Sequence, residues 1–123
     1  MIKTLGSRFG YIPLLLAMAI SASADAQLRV DEEIEQLFVF ILTSECEFIR
    51  NGRSYSPKKA RSHIERKYKY LQDEIFSAEE FIEKTASQSS TTGERYYVKC
   101  PGQTNEISSQ AWLQGALLDV RVE

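Results

Sequence analysis

Apolar positions between Asp31 and Ile49 recur every three or four residues, at Ile34, Leu37, Phe38, Ile41, Leu42 and Ile49, the repeat of one face of an α-helix. Asp31, Glu32 and Glu33 crowd its first turn, where carboxylates complement the helix dipole. From Leu37 to Leu42 the run is apolar without a break, which predicts a central helix covered on more than one side. Cys46 follows Leu42 by four residues and precedes Ile49 by three, placing it on the buried stripe. Asn51-Gly52 then supplies a left-handed stop. Ser56 before Pro57 is a cap with proline at the first helical position. It opens a second helix whose inward stripe is Ala60, Ile64, Tyr68, Leu71 and Ile75. Ser77 with Glu80 three residues later forms a capping box for a third helix, with Phe81, Ile82 and Ala86 inward, so the break lies near Phe76.

Beyond this point the pattern changes. Gln88 to Gly93 is a small polar loop. Tyr96, Val98 and Cys100 then alternate with Tyr97 and Lys99, the period of a short strand ended by Pro101-Gly102. One strand leaves its own backbone groups unsatisfied, so it needs an extended partner or stays irregular. Ser108 or Ser109 caps a last helix with Trp112, Leu113, Ala116, Leu117 and Val120 inward, despite Gly115 in its middle. Together these elements predict a mainly α fold, a compact bundle of about four helices with one short β segment and a disulfide.

The first residues carry a different message. Lys3 and Arg8, an apolar stretch from Tyr11 to Ile20, and the small-residue tail ending Ala24-Asp25-Ala26 have the three zones of a secretory signal. Residues 1–26 are expected to be cleaved, leaving 27–123 as a single helical domain. The apolar stretch is only about half the ~20 residues that span a bilayer, and no later segment reaches that length. A periplasmic or secreted protein without a transmembrane span in its mature chain is expected.

That compartment is oxidising, so Cys46 and Cys100 are expected to form a structural disulfide. The alternatives are a redox pair, which usually needs the thiols close in sequence, and a metal site, which needs more ligands than two cysteines and His63 supply. The formal net charge of −2 offers no general attraction to nucleic acid.

The residues also resemble a known family. The stretch Ser44-Glu-Cys46-Glu-Phe48-Ile49-Arg50-Asn51-Gly52, with Tyr55, Ala60, His63 and Lys67-Tyr68 after it, is similar to the YfeK-like family of small exported bacterial proteins. So are Ala78-Glu79-x-Phe81-Ile82, Ala86-Ser87-x-Ser89-Ser90, Gly93 with Tyr96, Val98-x-Cys100-x-Gly102, and Trp112-Leu113. The resemblance implies export, one domain and paired cysteines, and it supplies no catalytic residues.

Candidate chemistry is sparse. His63 is the single histidine, and adjacent Ser62 points about 100° away from it on a helix. No His-Glu-x-x-His or Asp-rich calcium loop suggests a metal. Glu45 and Glu47, two apart, diverge on a helix, and Glu79 and Glu80 serve a helix start. No catalytic residue, metal ligand or cofactor is therefore assigned.

Two surfaces remain. Lys58, Lys59, Arg61, Arg66, Lys67 and Lys69, interleaved with Tyr68 and Tyr70, form a basic face suited to an acidic partner or anionic headgroups. Ser89, Ser90, Thr91, Thr92 and Gly93, followed by Tyr96 and Tyr97, offer hydrogen-bonding groups beside an aromatic wall, suited to an envelope protein or a glycan. The expected function is a non-catalytic binding or accessory module. The alternatives are an envelope enzyme acting on wall glycan and, from the Ser-x-x-Gly-x-x-Tyr flavour of the loop, a protein resembling lysozyme inhibitors.

Overall fold

The computed structural model describes residues 24–122. Helix α1 spans 24–43. It is followed by β1 (Glu47–Arg50), β2 (Arg53–Tyr55), α2 (Pro57–Leu71), a 3₁₀ turn (Gln72–Glu74), α3 (Ala78–Thr85), β3 (Tyr97–Lys99), β4 (Ile107–Ser108) and α4 (Ser109–Val122). Residues 1–23 of the expected signal lie outside the described residues, and 24–26 open α1.

The fold is mixed α/β, which corrects the expectation of a mainly α bundle with one short β segment. The four strands form an antiparallel sheet in the order β2-β1-β3-β4. The expected long first helix ends at residue 43, and the Ile49 assigned to its stripe belongs to β1, while Cys46 lies just before that strand. Ser44 caps the end through its hydroxyl, which donates to the Ile41 carbonyl at 2.9 Å. Glu45 then takes φ of 60° and turns the chain out of the helical path. A left-handed glutamate is uncommon, and nothing in its side chain announces the turn.

Asn51 and Gly52 also act differently from the expected helix stop. Their φ values of 51° and 76° join β1 to β2 as the two positive-φ residues of a tight hairpin, the backbone type that Asn-Gly favours. The register pairs Phe48 with Tyr55 and Arg50 with Arg53. On its other side β1 pairs with β3, Glu47 opposite Lys99 and Phe48 opposite Val98. The strand read around Tyr96 to Cys100 thus finds its partners within the chain. Continued by one step, the β1–β3 register sets Cys46 against Cys100, and the two form a disulfide with Cα atoms 4.1 Å apart.

Phe48 and Val98 turn one face of the sheet into the core, where they meet Ile34, Leu37, Phe38 and Ile41 of α1, Ile64 of α2 and Leu113 of α4. At the centre lies α3, with Ala78, Phe81, Ile82 and Thr85 buried. The Phe81 ring stands edge-on to Phe38 at 5.2 Å and to Tyr68 at 5.3 Å. The α3 cap forms as its sequence implies, with the Glu80 amide donating to the Ser77 hydroxyl at 3.1 Å. The Glu80 carboxylate accepts from the Phe76 amide one residue further back. Helix α1 is not enclosed on several sides, because Val39, Phe40 and Leu42 are exposed. Phe40 covers part of itself by leaning on Trp112, centroid to centroid 4.5 Å.

Candidate functional site

The polar segment after α3 is a tightly hydrogen-bonded turn. The Ser89 amide donates to the Glu94 carbonyl at 2.8 Å, and the Gly93 amide donates back to the Ser89 carbonyl at 2.9 Å. Gly93 has φ of 76°, a conformation open to glycine at little cost. Ser89 is buried, and its hydroxyl accepts from the amides of Thr91 and Thr92. Asn51 of the hairpin clamps this turn from outside: its amide donates to the Ser89 hydroxyl at 3.4 Å, and Thr92 donates to its carbonyl oxygen at 2.7 Å.

The seven candidate loop residues therefore divide into two groups. Ser89 and Tyr96 are interior, while Ser90, Thr91, Thr92, Gly93 and Tyr97 face outward. The hydroxyls of Ser89, Thr91 and Thr92 are spent on the turn and the hairpin, so their first effect is to hold the loop in one shape.

The basic face of α2 divides as well. Arg61 leans across the Phe38 ring at 5.2 Å and reaches Glu35 and Glu65, each at 3.6 Å. Lys69 reaches Glu65 at 3.3 Å, while Lys58, Lys59 and Arg66 are exposed. Lys67 turns toward the loop. Its ammonium donates to the Gln88 carbonyl at 2.9 Å and lies 5.3 Å from the centre of the Tyr96 ring. Burial, with the nearby charge of Arg50, lowers its pKa from the ordinary lysine value.

That contact brings the two predicted surfaces together. Between them opens a polar cleft of about 530 Å³, walled by Lys67 and Leu71 of α2, Glu83 and Lys84 of α3, Ser87 to Ser90 and Gly93 of the loop, and Gln110 at the start of α4. Its lining brings Lys67, Glu83 and the side-chain amides of Gln88 and Gln110 into one concavity, while the Lys84 ammonium is held by the Glu74 carbonyl at 2.8 Å and the Glu80 carboxylate at 3.3 Å. Such a set suits hydrogen bonding to hydroxyls, amides and carboxylates.

Sequence reasoning missed Arg50. Read as the end of a helix it had no partner of interest, whereas the hairpin places it on β1 beside α2. The same error left His63 isolated in the sequence reading. In the fold the His63 ring meets Tyr55 edge-on at 5.4 Å, and its pKa is lowered by burial first and then by Arg50, Arg66 and Lys59. The signal available was Asn51-Gly52 read as a hairpin. Among the described residues no group of three or more His, Cys, Asp or Glu side chains is arranged to hold a metal ion, and no helix is long and apolar enough to cross a membrane.

Comparison with known proteins places this geometry in a family without an assigned activity. A family model described as a family of unknown function (DUF5329) matches residues 28–121. The uncharacterized protein YfeK of Salmonella typhimurium is 32% identical over 85 residues, covering 67% of this chain and 71% of its own length. No solved structure matches the chain.

Proposed function

The chain belongs to the DUF5329 family of unknown function, and on that premise we propose that it is an exported, disulfide-stapled module that binds a polar ligand in the cleft between α2, α3 and the 87–93 loop. The ligand class is an envelope protein segment or a glycan, and no chemistry is performed on it. The observation that carries this reading is the Lys67 to Gln88 contact, which makes the loop and one flank of the basic helix into walls of a single cleft.

Rigidity supports it. A loop held by its own hydroxyls and clamped by Asn51 loses little conformational freedom when a ligand arrives, and that saving strengthens binding. Export is supported by the disulfide, since such bridges persist in oxidising compartments, together with the signal-like residues 1–26.

Two measurements test the reading. Intact mass of the protein recovered from an envelope fraction should show a chain beginning at Gln27 with both cysteines oxidised; a full-length chain in the cytosol would contradict export. Titration of the isotope-labelled protein with soluble wall-glycan fragments and envelope peptides should move the amide resonances of Gln88, Ser90 and Gln110 together. Shifts confined to residues outside the cleft would contradict the site.

A further inference from the structure

Arg50 follows Phe48 by two residues on β1, so its side chain leaves the sheet on the same face, the one turned to the helices. There Arg50, His63 and the rings of Tyr55 and Tyr96 border, together with apolar Phe48 and Ile64, a mainly apolar cavity of about 30 Å³ between the sheet and α2. A space of that size admits about one water or one oxygen of a larger group. The Arg50 Nε is buried without a hydrogen-bond partner, and among the described residues no carboxylate lies within ion-pair distance of this guanidinium. A native fold rarely keeps a buried donor unanswered unless an ion, a water or a ligand completes it.

The charges around this point share one sign. Lys59 and Arg66 of α2 join Arg50 of β1 in repelling a proton from His63, and Arg50 acts in the same way on Lys67. The other titratable groups bordering the cavity are the phenols of Tyr55, Tyr96 and Tyr97. Two arginines elsewhere are treated differently: Arg61 and Arg121 each bridge two carboxylates.

We propose that Arg50 and His63 form an oxyanion site that receives a phosphate or carboxylate group of a ligand, with Lys59, Arg66 and Lys67 supplying the positive field. The planar guanidinium fork matches two oxygens of either group. Burial is the first cause that holds the imidazole pKa down and the three cations come after it; an anion seated there offsets the cations, so binding favours proton uptake by the ring, which makes both of its nitrogens donors. The cavity shares no lining residue with the polar cleft, Lys67 of the cleft acting on it through its charge alone, and its test does not depend on what the cleft binds.

The His63 ring resonances report the outcome directly. Their pH titration is recorded in chloride, in inorganic phosphate and in acetate at matched ionic strength, so that screening is equal in all three. In chloride the midpoint should fall below the ordinary histidine value. In the anion that fits, it should rise by about one unit, a tenfold preference of that anion for the protonated ring. A rise in phosphate alone assigns a phosphate group, in acetate alone a carboxylate, and in both their shared oxyanion chemistry. Arg50→Lys keeps the charge and removes Nε and the fork, so it should abolish most of the rise. Equal midpoints in all three salts would overturn the proposal, as would a rise that persists in full in Arg50→Lys. The parent titration decides the matter even where that variant fails to fold.

Discussion

Replacing Cys46 and Cys100 together by alanine removes the covalent link at the open end of the β1–β3 pair. The bridge joins positions 54 apart in sequence, and closing a loop of that size restricts the unfolded chain by roughly 4 kcal/mol in the chain-entropy treatment. Cys46 is also buried, and the loss of its sulfur contacts adds about 1 kcal/mol. Small domains are stable by only about 5–15 kcal/mol in total, so the double variant should lose from about a third to nearly all of the parent's stability. Trp112, the chain's single tryptophan, reports on the right place, because its ring packs against Phe40 at 4.5 Å and Phe48 of β1 at 5.5 Å. Urea unfolding followed by its fluorescence should show a loss of about 4–5 kcal/mol, with a steeper denaturant dependence because the unlinked chain exposes more surface when unfolded. A loss under about 1 kcal/mol with an unchanged slope would refute the idea that the bridge acts by restricting the unfolded chain.

Other perturbations follow from the same packing. Phe81→Ala empties the centre of α3 between Phe38 and Tyr68 and should cost about 3–5 kcal/mol in urea unfolding. Gly52→Ala forces a Cβ into a φ of 76° with nothing crowding it, so the cost is conformational, about 1–2 kcal/mol, and a neutral result would contradict the hairpin assignment. Arg121 bridges Glu33 and Glu79, donating to each at 2.8 Å, and its hydrogen bonds hold the Glu79 carboxyl below the ordinary range. Because that folded pKa is depressed, the stabilisation is present above the unfolded value and fades as pH falls through the folded one. Arg121 and Glu79 are exposed and Glu33 only partly covered, so Arg121→Ala should cost only about 1 kcal/mol near neutrality. The gap between variant and parent should narrow in acid, and a gap independent of pH would contradict the linkage.

Helices α2, α3 and α4 were legible because each carries a cap and a stripe in its own residues, as Ser77 and Phe81 do for α3. The sheet was not. Phe48 and Ile49 continue the spacing of α1, and Asn51-Gly52 serves a helix end as readily as a hairpin. Strands as short as Arg53–Tyr55 and Ile107–Ser108 contain too few residues to display an alternation, and it is their neighbours in the sheet that make them strands. The turn at Glu45 carries no glycine or asparagine to mark it. For the cleft, composition picked out the polar loop and the basic helix separately. Their meeting depends on α2 and the segment leading into β3 packing side by side, a tertiary arrangement that neither segment encodes alone. Arg50 was invisible for the same reason, since its interest begins once β1 exists.

The measurement closest to the central claim is site-specific photocrosslinking in intact cells, with the reactive group at Ser90 in the cleft or at exposed Val122 at the far end of α4. Binding in the cleft predicts a discrete protein or glycan adduct from Ser90 that is absent from Val122 and lost when Lys67 is changed to alanine in the same chain. Identical adduct patterns from the two positions, or a Ser90 adduct indifferent to Lys67, would contradict it.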